Sequence, residues 1–173
     1  MNIELRRAEI QDREILANLL EKYIYEFSQY KNSDVNRLGL FGYPHLDLYW
    51  TEADRHPYFI DVDGNIAGFV LVGNFPEAKG TETDFCIAEF CVLYKYRRGG
   101  VGKKALFQVL DLYRGRWQVK RHPRNLTSVY FWDAVIEAYT AGQYKLIQSC
   151  PDAKCDDGVW GDVFFFDNSG GNG

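Results

Sequence analysis

No apolar run in the 173-residue sequence approaches the roughly 18–20 residues that a membrane span needs. The opening MNIELRR also lacks the apolar core of a secretory signal. A cytoplasmic location without a membrane partner is therefore expected. Cysteine is scarce: Cys86 and Cys91 fall inside one apolar run, where a free thiol behaves as a small core residue. Cys150 and Cys155 flank a Pro-Asp turn without the paired C-x-x-C and His spacing of a zinc site. Reduced thiols are the expectation. The histidines, His45, His56 and His122, are few and scattered, so no metal is expected. With 46% apolar and 25% charged residues, the composition excludes a disordered, collagenous or fibrous chain. There is no repeat and no linker. The reading is one domain over residues 1–167 and a mobile tail over 168–173.

A net charge of −4 argues at first against any polyanionic ligand. Its distribution reverses that argument. Residues 95–124 hold ten of the twenty basic side chains and a single acid, Asp111, so this segment carries +9 and the remainder −13. Such asymmetry points either to a polyanionic partner on one face or to a solvated basic surface.

Alternation at Ile3 and Leu5 reads as a strand, and Asp12 as the N-cap of a helix. That helix has Ile15, Leu16, Leu19, Leu20, Tyr23, Ile24 and Phe27 on one stripe. Tyr58–Val62 and Ile66–Val72 flank Asp63-Gly64, the signature of a type I′ hairpin. Residues 84–93 form a nearly continuous apolar run, as a central strand should. Helical patterns follow over 101–115 and from Asn125, with a strand around Trp117 and Val119 between them. Tyr144–Cys150 and Val159–Phe166 close the chain as an antiparallel pair. The order predicts a layered α/β (α+β) domain: a mixed, mostly antiparallel twisted sheet of about six to seven strands, with helices on both faces.

Chemistry concentrates in Val92-Leu-Tyr-Lys-Tyr-Arg97-Arg98-Gly99-Gly100-Val101-Gly102-Lys103. A buried strand here enters a basic, glycine-rich turn that opens directly into a helix. Glycines let a ligand approach the backbone, and the unpaired N–H groups of a helix start favour phosphate. The order is neither a Walker loop nor G-x-G-x-x-G.

This stretch resembles the GCN5-related N-acetyltransferases (GNAT), whose signature [Q/R]-x-x-G-x-[G/A] reads here Arg97-Arg98-Gly99-Gly100-Val101-Gly102, and whose element order matches residues 3–166. The resemblance implies acetyl-CoA as cofactor. Backbone from Arg97 and Arg98 through Gly99, Gly100, Val101 and Gly102 to Lys103 would hold its pyrophosphate. Phe90, Cys91 and Val92 would pair with the pantetheine arm. The Val92 N–H would meet the acetyl carbonyl, and Asn125 and Trp132 would line the cofactor. The family's helix pattern N-x-x-A-x-x-[LF]-Y is here Asn125-Leu-Thr-Ser128-Val-Tyr-Phe131-Trp132, so Trp132 replaces the tyrosine often assigned as general acid. Tyr130 could substitute, although it points about 160° away. Otherwise the thiolate leaves unaided or through water, because a thiol pKa of about 8.5 makes it a tolerable leaving group.

Glu89 is the one charge between Phe85 and Leu93. A buried carboxylate is costly unless paired or functional, so Glu89 is a general base, one half of a buried salt bridge to an arginine, or a rim residue facing water. The aromatic and acidic stretch 23–58 suits a cationic amine. Tyr25, Glu26, Tyr30, Tyr49 and Trp50 are its candidate acceptor residues, while other aromatics there fill the core. The acidic loop with Asp152, Asp156 and Asp157 adds to that field or merely solvates a turn. The expected activity is transfer of acetyl from acetyl-CoA to a primary amine of a small molecule or peptide in a ternary complex. The alternative is a silent acyl-CoA-binding module. Nucleic acid is not an expected partner. A homodimer is open, since Phe164-Phe165-Phe166 is apolar on both faces.

Overall fold

In the computed structural model, which describes residues 1–170, the alternating N-terminal residues form β1 (Ile3–Arg7), antiparallel to β2 (His56–Val62). Asp63 (φ 48°) and Gly64 (φ 78°) then turn the chain into β3 (Asn65–Gly73). Both turn residues are left-handed, as a type I′ hairpin requires. Between β1 and β2 lie α1 (Arg13–Ser28) and the short α2 (Leu48–Thr51). After β3 come β4 (Phe85–Val92), α3 (Val101–Leu112), β5 (Arg116–Arg121), α4 (Leu126–Thr140), β6 (Lys145–Ile147) and β7 (Asp162–Asp167). The seven strands form one mixed sheet in the order β1-β2-β3-β4-β5-β7-β6. β4 and β5 are parallel from Phe85/Trp117 to Ile87/Val119, with α3 as the crossover that parallel strands need. The α/β class, the strand count and the central place of β4 agree with the sequence pattern.

The chain forms two compact units, Met1–Val72 with Glu89–Ala105, and Gly73–Ala88 with the chain from Leu106 onward. In the first, Ile3, Ile60, Val62, Ala67, Val101 and Ala105 make a core against which Phe90, Val92 and Tyr96 pack. α1 buries Leu16, Leu19 and Leu20, while Ile15 is exposed. At about 100° per residue, Ile15 lies at the rim of the arc centred on Leu16, Leu20 and Tyr23. Asp12 is not a side-chain cap of α1. Its Oδ2 instead accepts the Glu9 N–H at 3.0 Å, closing the short 3-10 turn that precedes the helix.

In the second unit, Trp117 stacks on Phe166 with centroids 6.3 Å apart and planes 7° from parallel. Phe164 and Phe166 are buried on one face of β7, and Phe165 packs on the other against Ala78, Cys150, Ala153 and Val163. Phe164 and Phe166 are thus enclosed by the chain's own residues, while Phe165 is half-buried. The expected tail starts too early. Asn168 is buried, its Nδ2 donating to Leu110 O at 2.7 Å and its Oδ1 accepting from Gly115 N–H at 2.8 Å. Residues 171–173 of that expected tail lie outside the described residues.

Candidate active site

At the end of β4 the Leu93 N–H donates to Ala67 O at 2.8 Å. Gly68 lets β3 come this close: a Cβ there would strike the carbonyl oxygen of Cys91 and lie 3.1 Å from Val92 Cα. The chain then makes a 3-10 turn, Tyr94–Tyr96, and reaches α3 through Arg98 (φ 65°) and Gly100 (φ 77°). A Cβ built on Gly99 or Gly100 meets no protein atom within 4 Å. Crowding within the protein therefore does not account for either glycine. Gly100 is explained by its left-handed backbone, whereas a side chain at Gly99 would only occupy open space beside the helix start. Lys104 makes the bond to Gly100 O, at 3.1 Å, that begins the helical ladder. The backbone N–H groups of Val101 and Gly102 precede it, at the positive end of the helix dipole. This turn fits a phosphate group.

The Arg97 side chain is engaged within the protein. Its guanidinium donates to both Glu26 oxygens, at 2.8 and 2.7 Å, and its Nε to Val92 O at 2.6 Å. The Arg97 guanidinium also lies 4.0 Å over the Tyr94 ring. The pairing with Glu26 raises the Arg97 pKa, and Arg97 holds the Glu26 carboxyl below its ordinary range. Arg97 and Glu26, expected at the cofactor and the acceptor respectively, thus engage each other and tie the glycine turn to α1.

Three tyrosines converge on Glu89. The Tyr43 hydroxyl donates to Glu89 Oε1 at 3.2 Å. Burial, together with the Glu89 charge, pushes Tyr23, Tyr43 and Tyr49 above the ordinary phenol range, so all three stay protonated. Tyr43 carries no sequence signal toward Glu89, which lies 46 residues away. Beside Glu89 in sequence, burial pushes the Cys91 thiol up to about 11.

Of the remaining acceptor candidates, Tyr49 belongs to this group of tyrosines and the others have separate surroundings. Tyr25 is 72% exposed, and the Trp50 indole N–H is spent on Ala8 O at 3.0 Å. Tyr30 lies edge-on to Phe27, while Tyr49 is buried.

In the second unit, Asn125 caps α4, its Oδ1 accepting the Ser128 N–H at 3.1 Å. Trp132 is buried against Phe131. Tyr130, on the opposite side of the helix, is 71% exposed. Five of the ten basic side chains of residues 95–124 form ion pairs: Arg97 with Glu26, Arg114 with Asp111, Arg116 with Glu82 and Asp84, Lys120 with Glu77, and Arg121 with Asp133 and Asp162. The +9 segment is therefore a far weaker field than its count suggests. One histidine has neighbours that the sequence does not show: His122, Cys155 and Asp157 bring their ligand atoms within 4.8 Å of one another.

The acetyltransferase (GNAT) family model matches residues 16–134, well over half of the chain. The chain belongs to the GNAT family. GNAT acetyltransferases use acetyl-CoA, and in this chain a glycine-containing turn joins β4 to α3. A GNAT-family acetyltransferase from Staphylococcus aureus Mu50 superposes with a TM-score of 0.60 at 16% identity, over 96% of this chain and 99% of its own. PaiA N-acetyltransferase from Thermoplasma acidophilum, solved in complex with coenzyme A, gives 0.59 at 15%, over 96% and 99%. An aminoglycoside acetyltransferase from an uncultured soil metagenomic sample, solved with sisomicin, gives 0.56 at 15%, over 77% and 86%. At these identities the likeness is one of fold. Comparison with curated protein sequences finds no match. Among the described residues, no helix is long and apolar enough to cross a membrane.

Proposed function

We propose that this GNAT protein transfers acetyl from acetyl-CoA to a primary amine within a ternary complex, with Glu89 as the base. The observation that carries the proposal is the placement of Glu89: a carboxylate within the central strand, hydrogen-bonded by a tyrosine hydroxyl, three residues before the end of β4 and nine before Arg98, where the turn that fits phosphate begins. Glu89 accepts the proton of the incoming ammonium, and the tyrosines keep that carboxylate oriented. The Leu93 N–H points at β3, so by strand alternation the Val92 N–H is directed to the other edge of β4. A fixed dipole of this kind supports an oxyanion role for the Val92 N–H. The Val101 and Gly102 N–H groups, with Lys103, would hold the pyrophosphate. Acetyl-CoA supplies an activated thioester whose thiol, with a pKa of about 8.5, departs as thiolate without acid help. A residue in the place of Trp132 then need not donate a proton. Cys91 stays a neutral thiol near neutral pH, which supports direct transfer over an acetylated cysteine.

The test is coenzyme A release with a panel of polyamines, aminoglycosides and N-terminal peptides. Glu89→Gln should lower turnover by about 100-fold or more while leaving the acetyl-CoA dissociation constant within threefold. Unchanged turnover would remove Glu89 from the mechanism. Tight acetyl-CoA binding without transfer to any amine would favour the silent acyl-CoA-binding module, which Trp132 in place of tyrosine supports.

A further inference from the structure

We propose that His122, Cys155 and Asp157 form a site for one divalent transition-metal ion of the zinc class. Residue 122 follows the last residue of β5, and the other two lie on the loop joining β6 to β7. All three belong to the second compact unit.

The donors are held before any ion arrives. The His122 and Asp157 side chains are 3% and 9% exposed, with Nε2 and Oδ2 2.8 Å apart. The Arg124 N–H reaches His122 Nδ1 at 3.2 Å and so aims Nε2 at the loop. The loop is itself a tight turn. Cys155 N–H bonds Val159 O at 2.7 Å, and Gly158 N–H bonds Cys155 O at 2.9 Å. Val159 N–H bonds Asp157 Oδ1 at 3.1 Å, leaving Oδ2 toward the histidine. Gly158 at φ 85° permits that turn.

Three atoms no more than 4.8 Å apart, two of them separated by 2.8 Å, share a point no farther than about 2.5 Å from each. Zinc takes about 2.0 Å to nitrogen or oxygen and about 2.3 Å to thiolate, so shifts of a few tenths of an ångström complete the contacts. Sulfur, imidazole and carboxylate together suit zinc rather than calcium or magnesium, which take oxygen. Three protein ligands leave a fourth position for water. The charges balance as well: thiolate and carboxylate neutralise the dication.

Binding releases the Cys155 thiol proton to solvent. The imidazole proton moves from Nε2, where it now faces Asp157, to Nδ1, giving up the long contact from Arg124. An ion there would clamp the β6–β7 loop onto the end of β5.

Cobalt(II) serves as the probe because thiolate ligation gives it a near-ultraviolet charge-transfer band. Titration of the purified, reduced protein should give that band with an endpoint at one equivalent, reversed by zinc. Cys155→Ser should abolish it, and Asp157→Asn should weaken binding at least tenfold, both with unchanged circular dichroism. No band at one equivalent, or a band that survives Cys155→Ser, would overturn the site. Should His122→Gln fail to fold, the partly exposed Cys155 still decides the question. The readout is spectroscopic, so the result is independent of any acetyl transfer.

Discussion

Glu89 and Tyr43 are 46 residues apart, and their contact changes what the carboxylate can do. A hydroxyl that donates to a carboxylate favours its ionised form. Tyr43→Phe should therefore move the acidic limb of the kcat/KM profile to higher pH, by about 0.5–1 unit for a bond worth about 1 kcal/mol. A merely structural tyrosine would change amplitude and leave the limb in place. Cys91 gives a contrasting case. With its thiol pushed to about 11, it holds little thiolate at pH 8, so Cys91→Ser should keep turnover within about threefold. Loss of activity in that variant, with coenzyme A affinity retained, would point instead to an acetyl-cysteine route. Neither relation was legible in the sequence, which marked Glu89 as a candidate base and Cys91 as a core residue or a cofactor contact but showed neither the tyrosine at Glu89 nor the burial that neutralises Cys91.

The turn between β4 and α3 was legible because everything it needs is contiguous: an apolar strand, basic residues, glycines and an amphipathic helix. Gly100→Asp should abolish coenzyme A binding, measured by calorimetry, by placing a carboxylate in the open space at the helix start. Retained affinity would dislodge the turn from the cofactor site. The anchoring of the turn was not legible, because Glu26 and Arg97 meet only when α1 packs beside it. Their pair spans 71 residues and uses two hydrogen bonds. Glu26→Gln should raise the KM for acetyl-CoA more than it lowers kcat, since it loosens the turn without touching Glu89. The pH dependence has a defined sign. Arg97 depresses the Glu26 pKa, so the contribution of the pair is fully present above the ordinary carboxylate range and is lost as pH falls through the depressed value. The hairpin of β2 and β3 was also readable, since Asp-Gly flanked by apolar runs specifies its own turn. The close approach that Gly68 permits was not, because its partner is the backbone of Cys91.

Across the whole chain, a basic segment of +9 against a remainder of −13 looked like an attractor for a polyanion. Folding spends much of that charge on ion pairs. Arg121, with 2% of its side chain exposed, joins Asp162 and Asp133 and also donates to Val129 O at 3.0 Å. Removing one partner strands a buried charge. Arg121→Ala should lower unfolding stability by about 3–5 kcal/mol in urea titrations, whereas the apolar Arg121→Met combined with Asp162→Leu should recover much of the loss. If the single substitution costs under about 1 kcal/mol, the cluster is solvated rather than buried.

Local pattern was enough for the class of fold, the order of its elements and the glycine turn between β4 and α3, since each depends on residues within a few positions of one another. Chain folding settled the partners: tyrosines at Glu89, Glu26 at Arg97, and Cys155 and Asp157 at His122. Charge and hydrogen bonding act through space over a few ångströms, and a linear sequence does not record which distant side chains come that close.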